Sequence, residues 1–178
     1  MLRGQIRATA NFNAQMGIPM SISCPGDQVT SRCDLIGNPS NVPGGQNAAH
    51  WFNAAAFQPA FGSDPTFWAN YDPNDPRAYL FGTAGERLGN ARTPGFYNMD
   101  TSLSKEFHFS EQRYFQFRWE VFNTLNHMNL GLPNTSWCLP PNADGSTDRV
   151  HQAGCSFGLI TNIGTDPRAM EFALKFYW

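Results

Sequence analysis

Apolar and polar residues alternate along four separate stretches of the chain, and each period-two run predicts a strand with one apolar face. In the first, at about 4–15, Ile6, Ala8, Ala10, Phe12 and Ala14 oppose Gln5, Arg7, Thr9, Asn11 and Asn13. In the second, at about 97–109, Met99, Thr101, Leu103, Phe107 and Phe109 oppose Asn98, Asp100, Ser102, Ser104, Glu106 and His108. In the third, at about 113–125, Phe115, Phe117, Trp119, Val121 and Leu125 oppose Gln116, Arg118, Glu120 and Thr124. In the fourth, at about 168–178, Met170, Phe172, Leu174, Phe176 and Trp178 oppose Ala169, Glu171, Ala173, Lys175 and Tyr177.

The connections between these strands are very unequal. Residues of about 17–96 separate the first two and about 126–167 the last two, whereas only Ser110, Glu111 and Gln112 lie between the middle pair. Long, short, long is the connection pattern of an outer-membrane barrel, with generous external loops and tight periplasmic turns. A compact soluble domain has no use for such long loops. Strand length agrees: about eleven residues at a tilt near 45° cross about 25 Å, the height of a barrel's apolar band.

The predicted fold is therefore all-β, with antiparallel strands forming the C-terminal segment of a transmembrane β-barrel with long extracellular loops. The lipid-facing residues are expected to be Leu103, Phe107, Phe109, Phe115, Phe117, Trp119 and Val121. The run Met170, Phe172, Leu174, Phe176, Trp178 is expected to close the barrel by pairing with its first strand. Trp178 then lies in the interfacial aromatic girdle.

Both middle strands use odd positions for the apolar face, so a three-residue loop keeps the faces matched. One register of this kind places Glu106 opposite Arg118. Lys105 interrupts the apolar face, where a mid-bilayer Lys costs about 2–4 kcal/mol. Contact with Phe117 or Trp119 and snorkelling are expected to reduce that cost. The competing reading of the same alternation is a secreted β-sandwich carbohydrate-binding module.

Composition removes several other classes. A formal net charge of −2 and a pI near 6.0 exclude the basic stripe of a nucleic-acid binder. Mean hydropathy is −0.41, and no apolar run approaches the roughly 18 residues of a membrane helix. That excludes a helical span and leaves a barrel open.

The cysteines form two local pairs, Cys24 with Cys33 and Cys138 with Cys155, without CxxC spacing. Two short loop disulfides in an oxidising compartment fit them better than zinc, with free thiols as the alternative. His50, His108, His127 and His151 are scattered, and solvated or hydrogen-bonded roles are expected. Asp64, Asp72 and Asp75 lack the spacing of a calcium loop and read as turn formers. There is no HExxH, GxSxG, P-loop or GxGxxG motif, so neither an enzyme nor a cofactor is expected. The long loops hold Trp51, Phe52, Phe57, Phe61, Phe67, Trp68, Tyr71 and Trp137. These can stack on sugars or siderophore rings, or pack the loops together, and packing is the favoured reading.

Several stretches carry a resemblance. The ending DPRAMEFALKFYW resembles the C-terminal signature of bacterial outer-membrane proteins. With GQIRATANFNAQMGIPMSIS, WFNAAAF, RTPGFYNMDTSLSKEFHF, RYFQFRWEVFNTLNHMN and FGLIT in the same order, the chain resembles the C-terminal part of TonB-dependent outer-membrane receptors of the Oar-like type abundant in Acidobacteria. The resemblance implies location in the cell outer membrane and import of siderophores, cobalamin, or oligomeric sugars and peptides. It also implies partners: outer-membrane lipid, the barrel-assembly machinery, the remainder of the receptor barrel and plug, and the TonB complex. No nucleic acid is expected. Such receptors have a 22-stranded barrel, a plug, a TonB-contacting segment and a signal peptide, whereas about four strands are recognisable here. The chain is thus expected to be a receptor fragment, inactive alone, with unassigned ligand-binding residues.

Overall fold

The computed structural model describes residues 4–24, 32–60, 72, 74–76, 81–139 and 152–178. The chain divides into two compact units. One holds the described part of Met1–Met16 together with Gly95–Leu130 and Ile163–Trp178; the other holds the described parts of Gly17–Pro94 and Gly131–Asn162.

The first unit is one antiparallel sheet of four strands, β1 (Ile6–Gln15), β6 (Phe96–His108), β7 (Tyr114–Phe122) and β8 (Ala169–Tyr177), in the order β1-β6-β7-β8. Successive strands of this unit are neighbours, so the sheet is a meander interrupted by two long connections. Both connections leave from the same end, since Gln15 pairs with Phe96 and Phe122 with Ala169.

The opposite end carries the tight turn. Phe109 and Ser110 both donate their N–H to the Arg113 carbonyl, closing a loop over Ser110, Glu111 and Gln112. β6 and β7 therefore pair odd with odd, Phe107 against Phe115 and Leu103 against Trp119. β7 stops at Phe122, short of the expected 125. There the backbone turns into the left-handed region at Asn123 and Asn126, each with φ 50°, which Asn tolerates better than most residues.

The second unit is built from both long connections. The first supplies β2 (Pro19–Met20) paired with β5 (Leu88–Arg92), β3 (Cys33–Leu35) paired with β4 (Phe57–Pro59), and a single 3₁₀ turn at Ala54–Ala56. The second connection threads among them. Ser23 forms a parallel bridge with Ser136, donating to the Thr135 carbonyl and accepting from the Trp137 N–H. Trp51 N–H binds the Gly158 carbonyl, and Ile160 N–H binds the Ala48 carbonyl.

One core serves both connections: Met20, Ile22, Phe52, Phe57 and Leu88 from the first, Trp137, Cys138 and Phe157 from the second. The expectation of long loops thus needs refinement. Backbone groups taken out of water must find partners, and these two connections find them in each other.

Candidate functional site: the two faces of the sheet

Most rungs of the sheet sort their side chains by polarity. On one face the rows read Ile6–Lys105–Phe117–Leu174, Ala8–Leu103–Trp119–Phe172, and Ala10–Thr101–Val121–Met170. Phe107, Phe115 and Phe176 follow toward the tight turn. Cross-strand ring contacts knit the face together. Phe107 and Phe115 stack at 4.7 Å, and Trp119 lies over Phe172 at 6.2 Å. Phe176 stacks with Trp178 at 6.0 Å.

Much of this face is nevertheless exposed, Phe172 at 67% and Leu174 at 70%, while Phe107, Phe115 and Trp119 are half-buried. Leu103, Phe109 and Phe117 are exposed to a lesser degree. Val121 differs: it occupies the same face but is only 5% exposed. A contiguous apolar surface of this kind needs a hydrocarbon or protein neighbour.

Lys105 interrupts the face, and its surroundings are not those expected. Its rung partner is Phe117, but its ammonium lies 5.8 Å from the centroid of the Phe107 ring. The Nζ also donates to the Gly4 carbonyl at 3.2 Å. The charge is thus directed along the face toward the tight-turn end, as snorkelling requires.

The opposite face is hydrophilic. Thr9 and Ser102 share a hydrogen bond of 2.7 Å between β1 and β6. Glu106 does not face Arg118. It faces Gln116, whose amide donates to it at 3.2 Å, while His108 Nε2 lies 3.3 Å from its other oxygen. Arg118 faces Ser104 and instead bonds Glu120 on its own strand at 2.6 Å. The observed register is two residues from the one, equally allowed by parity, that would make the cross-strand ion pair. Glu120 in turn faces Glu171, a like-charge pair that opposes β7–β8 pairing. Near the tight turn, the rings of His108, Tyr114 and Tyr177 stack across three strands at 4.8 and 4.4 Å.

At the other end, two asparagines fasten the strands, a role the sequence reading missed. Asn129 is 1% exposed; its side chain accepts from the Tyr97 N–H and donates to the Tyr97 carbonyl, both at 2.9 Å. It thereby acts as one more rung beside β6. Asn123 accepts from the His127 N–H and donates to the carbonyls of His127 and Asp166, tying the end of β7 to the approach of β8. The available signal was the Asn density of NTLNHMN after an apolar strand. His127 also stacks on Tyr97, 3.7 Å between ring centroids.

In the loop unit, Trp51, Phe52, Phe57, Trp137 and Phe157 pack inward, whereas Phe81 is exposed. Phe52, Phe57 and Phe157 meet edge to face at 5.0–6.0 Å. Trp137 is buried and its indole N–H binds the Phe57 carbonyl at 3.1 Å; Trp51 binds the Arg92 carbonyl at 2.6 Å. Phe61, Phe67, Trp68, Tyr71, Asp64 and His151 lie outside the described residues. Asp72 accepts the Asn74 N–H at 2.8 Å, as a turn former does. His50 donates its backbone N–H to the side chain of Asn47. Among the described residues no three His, Cys, Asp or Glu side chains gather to hold a metal.

Both local cysteine pairs are disulfides, Cys24–Cys33 with Cα atoms 5.0 Å apart and Cys138–Cys155 with 5.7 Å. Each closes a short loop within one connection, and closures of this size contribute about 3 kcal/mol apiece by restricting the unfolded chain.

An antiparallel meander with one apolar and one hydrophilic face is the architecture of a membrane barrel wall. Comparison with protein families agrees: residues 2–171 match the outer membrane beta barrel domain. The chain belongs to this family of β-barrel proteins, and its place is the outer membrane. No curated protein and no solved structure matches it.

Proposed function

We propose that the chain supplies the C-terminal barrel strands and part of the external vestibule of a TonB-dependent receptor that imports scarce nutrients. The observation that carries this reading is the open, two-faced sheet. β1 and β8 stand at its edges, and four strands are too few to close a barrel. The remainder of a receptor barrel provides the missing neighbours. The order of the six resembling stretches supports the narrower, TonB-dependent assignment over barrels in general.

In this reading Leu103, Phe107, Phe109, Phe115, Phe117 and Trp119 face lipid, and Val121 packs beneath them. The run from Met170 to Trp178 forms the closing strand and is recognised by the barrel-assembly machinery. The hydrophilic face lines the lumen, toward the plug, and energy comes from the TonB complex through other parts of the receptor. Cargo belongs to the siderophore, cobalamin, or oligosaccharide and peptide classes. No observation favours the carbohydrate-binding sandwich, which needs a second sheet over the apolar face.

The test is uptake by cells carrying the complete receptor, offered ferric siderophores, cobalamin and oligosaccharides one at a time. The expected result is uptake of one class, lost when this segment is deleted and lost when TonB is inactivated. Uptake that persists without TonB overturns the assignment.

A further inference from the structure

We infer that the Cys138–Cys155 disulfide is a redox latch that seats the second connection on the first, while Cys24–Cys33 is a sealed structural bond. The two disulfides occupy different environments. Cys24 and Cys33 are both buried in the shared core, Cys33 at 0% exposure, and Cys33 is further held in the β3–β4 ladder opposite Pro59. Cys155 is only partly buried at the margin of that core. A thiol can attack only a sulfur it can reach, so Cys138–Cys155 is the accessible bond of the two.

Its position gives that accessibility a consequence. Cys138 directly follows Trp137, one of the residues through which the connections are joined. Trp137 donates its backbone N–H to Ser23 and its indole N–H to Phe57. On the far side of the disulfide, Phe157 lies two residues beyond Cys155 and packs against Phe52 and Phe57. The bond therefore ties together two of the points at which the second connection grips the first. Opening it removes the covalent tie between Trp137 and Phe157 and leaves only hydrogen bonds, those of Asn134 to Gly158 and Leu159 among them, while the Cys24–Cys33 loop stays closed.

The chemistry is thiol–disulfide exchange. To open the bond, a thiolate of a dithiol reductant attacks one sulfur and its second thiolate resolves the mixed disulfide, so that the reductant leaves as a disulfide. To close it, one of the Cys138 and Cys155 thiolates attacks the disulfide of a protein oxidant, giving a mixed disulfide and releasing one oxidant thiol. The second thiolate then displaces the other. Cys138 and Cys155 lose two electrons in total, and the oxidant leaves as a dithiol. The chain is in this sense a client of a dithiol–disulfide oxidoreductase outside the cytoplasm. The inference concerns the loop unit alone and stands or falls without reference to cargo or TonB.

The experiment titrates outer membranes carrying the protein with dithiothreitol, traps free thiols with N-ethylmaleimide, and maps labels and protease cleavage by mass spectrometry. Cys138 and Cys155 are expected to label at a reductant concentration at least about tenfold below that needed for Cys24 and Cys33. New cleavage sites within residues 131–162 are expected at that same concentration. The Cys138→Ser/Cys155→Ser protein should show those sites without reductant. If that variant does not accumulate, the wild-type titration decides alone. Labelling of Cys24 and Cys33 first, or of all four together, overturns the latch. So does labelling of Cys138 and Cys155 with no new cleavage.

Discussion

Trp119 and Phe172 sit on facing rungs of β7 and β8, their rings 3° from parallel. Phe172 is exposed and Trp119 half-buried, so the outer side of the stack is a surface feature whose complement is an apolar solvent. Phe172→Lys places an ammonium on this face, at a cost of about 2–4 kcal/mol near the bilayer midplane. The expected outcome is a marked fall in folded, outer-membrane-inserted protein, read as loss of the heat-modifiable band on gels.

Glu171 is the adjacent residue in sequence and lies on the other face, opposite Glu120. Glu171→Lys replaces a like-charge rung with an opposite-charge one, a change of roughly 0.2–1 kcal/mol in favour of pairing. Insertion is expected to be unchanged or improved, with a slightly higher urea midpoint. The two adjacent Lys substitutions thus test the sidedness of β8 directly. Equal damage from both would count against a lipid face and a lumen face.

Asn129 substitutes for a strand rung, holding both backbone groups of Tyr97. Asn129→Ala takes this partner from the part-buried backbone groups of Tyr97, a loss of about 1–3 kcal/mol. Hydrogen exchange at the Tyr97 amide should accelerate by one to two orders of magnitude, while amides near the tight turn keep their protection. Uniform acceleration across the sheet would instead mean that the whole sheet had loosened.

Removing Trp178 takes away the ring that stacks on Phe176 at the end of β8. In the outer-membrane protein, the deletion is expected to lower the outer-membrane level several-fold and to leave transcript levels unchanged. Normal assembly of the deletion protein would refute the closing-strand role.

The strands were legible because a barrel wall imposes period two without interruption: lipid on one side and water on the other select alternate residues over a full span. The same rule made the odd-with-odd pairing of β6 and β7 derivable from Phe107, Phe115 and Trp119. Parity alone leaves registers two residues apart equivalent, which is why Glu106 meets Gln116 and not Arg118. Lys105 was recognisable as an exception, but a four-carbon stem reaches several rings, and sequence does not choose Phe107 among them. The Asn123 and Asn129 network was illegible because side-chain bonds to backbone have no period. The loop unit was hidden for a related reason. Its core draws Phe52 and Phe57 from one connection and Trp137 and Phe157 from another, and no local pattern links segments so far apart.

That shared core also limits how the outer surface can diversify. Loops are in general the most variable segments of a protein and tolerate change one at a time. Here a transplanted first connection would arrive without Trp137 to bond its Phe57 carbonyl, and without Phe157 to fill the space beside Phe52. Variation is expected to accumulate as matched pairs across the two connections, so the heritable unit of change at this surface is the pair and not the loop.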